Sequence, residues 1–462
     1  MKLIEVLPSA LLQQLARILP ATGISTAAAD LLCYGYDNSR QQAAAQVVLW
    51  PTSEAETQAI VVACRAHRVA LIARGRGTNT TGATVPINGG AVLSLERSQR
   101  IIEIDPDNRA VVVEPGVLNG DLQTALAAHG LFWPPDPTSA AYATVGGNLA
   151  CNAGGPHAVK YGACRDNVLA LNVVAGTGEL LHCGARTTKG ATGYDLTRLL
   201  VGSEGTLGII TEATLKLTPL PEAVRSLRAL YRDVESAAAA VARLMRQAHI
   251  PSALEFMDGE ALRLAREIGG AEIAPAGALL LIEIDGDEAS IEVALAAIAK
   301  AASGAGLLAL DAARSAAEVQ QLWAARKALS PALRSIAPEK INEDVVVPVS
   351  RLPALVAAVR EIARWSGIAI VSFGHAGNGN LHINLLFDPA NADQALMAPR
   401  ALDALFSRVL ELGGTLSGEH GIGLAKRAFM RQAIDPPTLA MMHAIKAAFD
   451  PDQILNPGKL LP

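Results

Sequence analysis

The sequence has few cysteines, no excess of basic residues and no long hydrophobic run. Its 462 residues include five scattered cysteines, and none of them forms a Cys-x2-Cys pair. This argues against an iron–sulfur cluster or a cysteine zinc site within the chain and fits a reducing compartment. A formal net charge of −5 leaves no basic stripe for the phosphates of a nucleic acid.

No apolar stretch approaches the roughly 18–20 residues that a membrane-spanning helix needs. The N-terminal residues do not predict a secretory signal, because Glu5 follows Met1-Lys2 and polar side chains interrupt the stretch from Leu11 to Leu19. An amphipathic surface helix is the better interpretation. We therefore expect a cytoplasmic protein, with any association with the inner membrane being peripheral or through a partner.

The most informative feature that is present is a set of metal-ligand side chains near the C-terminus. His375 and His382 are seven residues apart, and Glu419 and His420 follow between two glycines. This spacing does not fit the His-x3-His helix of a metalloprotease, and on one straight strand it would point the two rings to opposite faces. The turn residues Gly377-Asn-Gly-Asn380 predict instead a β-hairpin that brings the rings together.

Two imidazoles and a carboxylate are a ligand set that zinc uses when one coordination position stays open for substrate. Manganese, cobalt and iron are compatible with the same ligands. Taken alone, the set also suits a zinc hydrolase in which Glu or His activates water. These residues by themselves leave the ion and the reaction open.

Two glycine-rich segments lie upstream of the metal-ligand residues. Arg74 to Gly82 follows a short predicted strand, Val69 to Ala73, and Thr144 to Gly162 is rich in glycine and asparagine. The first segment does not match the Gly-x-Gly-x-x-Gly fingerprint that opens a helix, because a strand follows it. The alternatives are plain turns or backbone N–H nests for a pyrophosphate, and the presence of two such segments favours nests.

The predicted elements indicate an α+β fold that changes character after Pro219 and Pro221. Short strands dominate before these prolines, and long alanine- and leucine-rich helices follow them. Ser53 to Glu56 is a predicted capping box that begins a helix to about His67. Later predicted helices include Val234 to Ala248, Ala317 to Leu333 and Ala401 to Leu412.

These motifs together resemble the FAD-linked dehydrogenases of D-2-hydroxy acids. That family belongs to the vanillyl-alcohol-oxidase and p-cresol-methylhydroxylase (PCMH) type of flavoproteins and includes D-2-hydroxyglutarate, D-lactate and glycolate dehydrogenases. The resemblance covers essentially the whole chain, with four motifs in the family's order. It implies a PCMH-type FAD-binding domain over 1–221, a substrate or cap domain with a helix-covered sheet over 222–410, and a helical C-terminal segment over 411–462 that closes on the flavin.

The resemblance also implies which residues hold the FAD. Thr78 stands where members with covalent flavin often carry histidine, so the implied FAD is non-covalent. The residues assigned to the cofactor are Arg74, Gly75, Arg76, Gly77, Thr78, Asn79, Gly82, Pro137, Thr138, Ser139, Thr144, Gly146, Gly147, Asn148, Asn152, Gly154, Gly155, Glu204, Gly205, Gly208, Ile209, Ile210 and Asn456.

The metal and substrate residues follow from the same resemblance. It implies a divalent metal, with zinc expected, on His375, His382 and Glu419, and a general base at His420. The implied substrate contacts are Arg326, Ser330, Lys340 and Asn384. Arg326 would hold the substrate carboxylate. Lys340 with Asn384 would engage a second carboxylate, which places D-2-hydroxyglutarate slightly ahead of D-lactate and glycolate.

The implied reaction is hydride transfer from substrate C2 to the flavin. No nicotinamide fingerprint is present, so an electron-transfer flavoprotein, a quinone or a cytochrome is the expected acceptor. A homodimer is a compatible assembly. The alternative from another class is a non-catalytic subunit of a glycolate-oxidising complex, against which the complete set of site residues argues.

Overall fold

The protein folds into two compact units, as a computed structural model that describes residues 7–267, 273–313, 318–320, 323, 324, 326, 329 and 332–462. The first unit contains the described residues up to Gly154, together with Gly162–Leu220 and Glu419–Pro462. The second contains Gly155–Tyr161 and Pro221–Gly418. The mixture of helices and sheets confirms the predicted α+β class.

The strands are short in the first unit and longer in the second. In chain order they are β1 (Ile24–Ser25), β2 (Val47–Leu49), β3 (Leu71–Arg74), β4 (Ala91–Ser94), β5 (Ile101–Asp105), β6 (Ala110–Val113), β7 (Leu131–Phe132), β8 (Val168–Ala175), β9 (Leu180–Gly184), β10 (Gly208–Lys216), β11 (Thr218–Pro219), β12 (Ala223–Tyr231), β13 (Ala253–Asp258), β14 (Ala278–Gly286), β15 (Leu307–Ala312), β16 (Glu339–Val346), β17 (Ala369–His375) and β18 (Asn380–Phe387).

The α-helices with described bounds are distributed over both units. They are α1 (Ser9–Ile18), α2 (Ala28–Cys33), α3 (Glu54–Ala66), α4 (Asn119–Ala127), α5 (Val145–Cys151), α6 (Ala158–Tyr161), α7 (Leu196–Leu200), α8 (Val234–Arg246), α9 (Gly259–Glu267), α10 (Ile291–Ala302), α11 (Leu352–Ser366), α12 (Ala392–Glu411), α13 (Met430–Ala433) and α14 (Pro436–Phe449). None of the described helices is long and apolar enough to cross a bilayer.

The first unit is built on two main sheets, each with its own apolar core. A four-stranded sheet has the order β1-β2-β4-β3, and a five-stranded antiparallel sheet has the order β5-β6-β10-β8-β9. The C-terminal tail joins the smaller sheet, because Leu455 forms a parallel bridge with Leu71 on β3. The returning chain therefore becomes part of the same sheet from which the first glycine-rich loop leaves.

The second unit is one seven-stranded antiparallel sheet covered by helices. Its order is β15-β12-β14-β13-β17-β18-β16. Residues that face each other across antiparallel strands point to the same side of the sheet. One side therefore carries Glu255 on β13, His375 on β17 and, through the pairing of Phe373 with His382, the histidine on β18. This side of the sheet presents the polar groups of the site.

Most predicted elements exist, but several bounds and one assignment were wrong. Ser53 does accept a hydrogen bond from the Glu56 N–H, whereas the Glu56 carboxylate accepts from the Thr52 N–H instead of closing a capping box with Ser53. The glycine- and asparagine-rich stretch after Thr144 contains a helix, α5, where loop was predicted. The predicted helix Ala317 to Leu333 lies partly outside the described residues.

Candidate functional site

The two histidines of the metal-ligand motif lie side by side on a β-hairpin. Strand β17 ends at His375, a 3₁₀ turn spans Ala376–Asn378, and β18 then runs back from Asn380. The ring centroids are 5.2 Å apart with the planes at 85°, and both side chains are buried. The hairpin predicted from the Gly/Asn spacing is confirmed.

The hairpin turn depends on glycine at one position. Gly379 has φ +75°, and a Cβ placed there would lie 1.9 Å from the carbonyl oxygen of Val347. No side chain fits in that space, and the left-handed backbone is also strained for other residues. Gly379 therefore sets the turn that brings the imidazoles together.

Glu255 lies on β13, the strand next to the hairpin, and contacts one of the histidines. Its side chain is completely buried, with Oε1 2.5 Å from His375 Nδ1 and Oε2 2.8 Å from Arg326 Nε. Burial alone would raise the pKa of this carboxyl, but the charges of His375 and Arg326 outweigh it and lower the pKa to about 2. The ionised carboxylate can only accept, so His375 Nδ1 carries the proton and Nε2 is its potential ligand atom.

Arg326 is buried beside this carboxylate and not on the surface. Its guanidinium lies 4.6 Å from the centroid of the Phe373 ring, which adds a cation–π contact to the ion pair with Glu255. The ion pair uses Nε, so in the predicted role the two terminal nitrogens would be the donors to a substrate carboxylate.

Asn384 lies on the predicted face of β18, and its amide nitrogen bonds to the backbone. Its side chain is fully buried, and Nδ2 donates to the carbonyl oxygens of Val371 and His382, each at 3.2 Å. Within the part of the chain that the structure describes, Oδ1 has no hydrogen-bond partner. An amide oxygen accepts and does not donate, so direct donation from Asn384 to a carboxylate is not available in this arrangement.

Lys340 lies on the neighbouring strand, close to Asn384 in register. Asn342 pairs directly with Asn384, and Lys340 pairs with Leu386 two residues along. The three polar side chains therefore share one face of β16 and β18. Asn342 Oδ1 is also buried without a partner among the described residues. Ser330, the remaining predicted substrate residue, lies outside the described residues.

Glu419 directly follows the last residue of the second unit. The preceding residue, Gly418, is held there by two hydrogen bonds from its N–H, to the backbone oxygen and to Oδ2 of Asp344, both at 2.9 Å. Asp344 pairs with His382 across β16 and β18. Gly418 is therefore fixed against β16, the strand that pairs with the His382 strand, and the Glu419-His420 segment begins from there.

The backbone around His420 is held by residues that were predicted to bind the cofactor. Asn79 Nδ2 donates to the His420 carbonyl oxygen at 2.9 Å. The Glu204 carboxylate accepts from the N–H groups of Ile422 at 2.6 Å and Gly423 at 2.8 Å. All of these residues belong to the first unit. Burial raises the pKa of Glu204, and the two N–H groups partly offset that rise.

Three residues predicted to bind the cofactor have side chains that bond to protein groups. Asn456 Nδ2 donates to the carbonyl oxygens of Ala83 and Glu204, and its Oδ1 accepts from Lys459. The side-chain oxygens of Glu204 and the amide of Asn79 are likewise bonded to protein groups. These hydrogen bonds hold the loops of the first unit in place, and the role of the three residues in cofactor binding stays a prediction.

The two glycine-rich segments meet in the first unit. A Cβ on Gly75 would lie 2.4 Å from the hydroxyl oxygen of Thr144, so only glycine permits this approach. Thr144 caps α5 by accepting from the Gly147 N–H at 3.2 Å. The second segment is thus a capped helix start and not the helix-free nest that was predicted. Glycine at the second helical position lets the helix start pack against Pro115, since a Cβ on Gly146 would lie 2.5 Å from the Pro115 side chain.

The first loop also contains a polar group without a partner. Thr80 Oγ1 is buried and has no hydrogen-bond partner among the residues that the structure describes. A buried unpaired hydroxyl next to a glycine-rich loop is what a missing phosphate-bearing ligand would leave. The predicted FAD residues lie in the first unit, apart from Gly155 in the second. The residues in this loop fit a dinucleotide cofactor such as FAD.

Sequence reasoning missed Glu255 and a second pair, which is partly buried. In this pair His157 Nε2 lies 2.8 Å from Glu283 Oε1, and the His157 ring stacks on Trp323 with the ring centroids 6.4 Å apart. The available signal was a glutamate inside each of two apolar strands, Ala-Leu-Glu-Phe-Met on β13 and Leu-Ile-Glu-Ile on β14. A charge in such a strand is stable only if it is paired.

Comparison with protein families gives two matches along the chain. Residues 45–184 match the FAD binding domain family, and residues 220–460 match the family described as FAD linked oxidases, C-terminal domain. Together they include the glycine-rich loops of the first unit and the histidine hairpin of the second.

Several similar proteins match nearly the whole length of this chain. Glycolate oxidase subunit GlcD of Bacillus subtilis (strain 168) is 39% identical over 97% of this chain and 96% of its own length. D-lactate dehydrogenase of Anaerostipes hadrus is 36% identical over 90% of this chain and 89% of its own. D-2-hydroxyglutarate dehydrogenase of Stutzerimonas stutzeri (strain A1501) is 33% identical over 98% of both chains.

A solved structure shares the fold. p-Cresol methylhydroxylase with substrate bound superposes with a TM-score of 0.82 at 17% identity, and the match covers 99% of this chain and 98% of that one. This similarity confirms the predicted PCMH-type fold. At 17% identity it shows the fold and not the function.

Proposed function

This chain belongs to the FAD-linked oxidase family, and from that premise we propose that it oxidises a D-2-hydroxy acid to the 2-oxo acid with the help of a divalent metal. The observation that carries the proposal is the buried His375–His382 pair, with Glu255 joining it to Arg326. The pair offers ligand nitrogens and the arginine offers a carboxylate anchor. A 2-hydroxy acid needs both, because its hydroxyl and carboxylate are adjacent.

The chemistry of the residues fits a divalent metal. Among the described histidine, cysteine and acidic side chains, His375, His382 and Glu419 form the candidate group for one ion. The Nδ1 contact of His375 with Glu255 is the arrangement in which a metal-bound histidine is usually held. Zinc is the expected ion, and manganese, cobalt or iron would accept the same ligands.

The protein side chains would bind the substrate and accept its proton. When bound, FAD supplies the two-electron acceptor, and the metal supplies positive charge beside the substrate hydroxyl. Arg326 binds and orients the substrate carboxylate through its terminal nitrogens. His420 accepts the hydroxyl proton as general base. Asn79 holds the carbonyl group of that base, and Glu204 holds the backbone just after it.

Within the D-2-hydroxy acids we favour D-2-hydroxyglutarate over D-lactate and glycolate. The support is the polar face formed by Lys340, Asn342 and Asn384, which suits a second carboxylate better than a methyl group or hydrogen. Lys340 would carry the charge. Asn384 would act through its oxygen, by accepting from that ammonium group.

The substrate preference is tested by kinetics with a dye as electron acceptor. A panel of D-2-hydroxy acids on the metal-loaded flavoprotein should show D-2-hydroxyglutarate as the best substrate. Asn384→Ala should raise the KM for D-2-hydroxyglutarate more than that for D-lactate. Equal effects on both substrates would remove the support for a dicarboxylate while leaving the reaction class intact.

A second candidate function is a subunit of a glycolate-oxidising complex. It is favoured by the 39% identical relative, which is itself named as a glycolate oxidase subunit. The two candidates differ in what the isolated chain can do. If the chain carries FAD and metal but reduces no dye with any D-2-hydroxy acid, the subunit function is supported instead.

A further inference from the structure

We propose that Glu255 is a positioning residue that orients His375 for metal binding and Arg326 for the substrate carboxylate. The inference deepens the proposed function and rests on it. The substrate hydroxyl and carboxylate are adjacent groups, so the metal ligand and the arginine must be placed correctly relative to each other. A single carboxylate would thereby set that geometry. Glu255 itself is not required to touch the substrate or the metal.

The first observation is the way the carboxylate is shared. Each of its two oxygens has one partner, His375 Nδ1 on Oε1 and Arg326 Nε on Oε2. The side chain has no exposed surface, and it comes from the interior of β13, between Leu254 and Phe256. A carboxylate buried without such partners would cost several kcal/mol, so its position is tied to both contacts.

The second observation is the register of the sheet. Glu255 pairs with His375 across β13 and β17, so the two side chains emerge on the same face from directly opposed positions. Strand pairing therefore fixes the carboxylate relative to the imidazole without a flexible loop. A carboxylate on Nδ1 holds the ring tautomer in which Nε2 has the lone pair, and it increases the basicity of that nitrogen.

The third observation concerns the arginine. A long guanidinium side chain has many rotamers, and the Glu255 ion pair together with the Phe373 ring restricts it to one place. A bidentate carboxylate anchor works only if its plane is fixed. The Glu255 carboxylate thus restricts the side-chain conformations of both Arg326 and His375.

The competing explanation is a purely structural ion pair in the core. Both explanations predict that loss of Glu255 lowers stability. Only the positioning role predicts a loss of metal affinity and of substrate binding in a protein that is still folded. The decisive readouts are therefore the dissociation constant of a metal and the division of an activity loss between KM and kcat.

The experiment uses the full-length flavoprotein stripped of metal and titrated with Zn²⁺ in a calorimeter. Glu255→Gln keeps the shape and removes the charge, and Glu255→Asp keeps the charge but is too short to reach both partners. Asp258→Asn is the matched control, because Asp258 is also a carboxylate of β13, partly buried, but bonds to the backbone N–H groups of Ala261 and Ser372. Flavin absorbance and the thermal midpoint report folding for each variant.

We expect about a 10- to 100-fold weaker Zn²⁺ affinity for Glu255→Gln, the range seen when the partner of a ligand histidine is lost. Glu255→Asp should weaken it less, and Asp258→Asn should leave it unchanged. An affinity of Glu255→Gln within about twofold of the parent protein would overturn the proposal, as would an equal loss in Asp258→Asn. If Glu255→Gln does not fold, the Glu255→Asp affinity decides by the same criterion.

The kinetic arm tests the arginine half of the inference at saturating Zn²⁺. Glu255→Gln and Arg326→Gln should each raise the KM for D-2-hydroxy acids, and the double variant should add little to the larger single effect. Additive losses would overturn the coupling. A parent protein that binds no Zn²⁺ would instead contradict the metal in the proposed function. If the parent protein binds Zn²⁺, results that differ only in the Glu255 variants test this inference and not the proposed function.

Discussion

His420 is the residue on which the proton transfer depends. Replacing it by glutamine removes the base and keeps a side chain of similar size in the braced loop. We expect His420→Gln to lower kcat by about 10²- to 10⁴-fold, the usual contribution of a positioned general base. Dye-coupled turnover at saturating substrate measures this.

The matched control for this substitution is His443→Gln. His443 is exposed on helix α14, far along the chain from the motif, and its loss should leave turnover unchanged. The flavin absorption of both variants should equal that of the parent protein. A His420→Gln enzyme that keeps more than about a tenth of the parent kcat would exclude His420 as the base.

Asp258 gives the second prediction at this scale, because its pKa is far from the ordinary value. Burial raises it from 3.8 to about 7, and the N–H groups of Ala261 and Ser372 only partly offset the rise. Between these two values the folded protein holds a proton that the unfolded chain has released. Stability from this group must therefore fall as pH rises from about 4 to 7.

The measurement compares parent protein and Asp258→Asn in urea unfolding between pH 4 and 7. One pKa unit corresponds to about 1.4 kcal/mol, so the difference in unfolding free energy should change by a few kcal/mol across this range. The parent protein should lose stability relative to the variant as pH rises. A difference that does not vary with pH would show that Asp258 is ionised in the fold throughout.

The β17–β18 hairpin is the element that creates the candidate metal site. Gly379→Ala should distort its turn, because the new methyl would collide with the Val347 carbonyl oxygen. Gly413→Ala is the matched control: Gly413 has the same φ of +75° but no atom within 4 Å of a new Cβ. Both variants share the backbone strain of about 1 kcal/mol, and only Gly379→Ala adds the collision.

We expect Gly379→Ala to lose more stability than Gly413→Ala and to bind Zn²⁺ much more weakly, since the two imidazoles would no longer be adjacent. Urea unfolding and Zn²⁺ titration of both variants measure this. Equal stability losses, or unchanged Zn²⁺ affinity in Gly379→Ala, would show that the hairpin turn does not determine the site.

The hairpin was predictable from sequence because its signal is local. Glycine and asparagine lie next to each other in the turn, and the strands on either side are apolar. The segment after Thr144 was wrongly predicted as loop for a related reason. Glycine disfavours helices, but here the Thr144 cap and the apolar side chains of Val145 and Leu149 stabilise the short helix α5.

Contacts between residues far apart in the chain could not be predicted from local sequence patterns. Glu255 and Arg326 are 71 residues apart, and Glu204 and Ile422 are 218 residues apart. No local pattern links such pairs, because they are set by strand register and by the return of the chain. Motif matching predicted Glu204, Asn79 and Asn456 as cofactor residues, but it could not predict the protein groups to which their side chains bond.

At the scale of the whole molecule, the chain leaves the first unit twice and returns twice. The short excursion covers 155–161, and the long one begins at Pro221 and ends at Gly418. Predicted boundaries near Pro219–Pro221 reflected the change in composition there. The excursion at 155–161 has no such signal, because seven residues are too few to change composition.

Family membership and fold agree over the full length of the protein. FAD-linked relatives named for glycolate, D-lactate and D-2-hydroxyglutarate match 90% or more of the chain at 33–39% identity. Such similarity shows an FAD-linked oxidoreductase. In the function proposed above, the choice of substrate depends on a few side chains on β16 and β18. The electron acceptor, the inner-membrane association and a homodimer stay predictions.

The measurement that tests the central claim most directly is anaerobic reduction of the bound flavin by a D-2-hydroxy acid. The Zn²⁺-loaded protein, without any added acceptor, is mixed with D-2-hydroxyglutarate while the visible flavin band is followed. The band should bleach with the D-enantiomer, persist with the L-enantiomer, and persist in metal-stripped protein until Zn²⁺ is restored. A flavin that stays oxidised with every D-2-hydroxy acid, in protein carrying both FAD and Zn²⁺, would contradict the account.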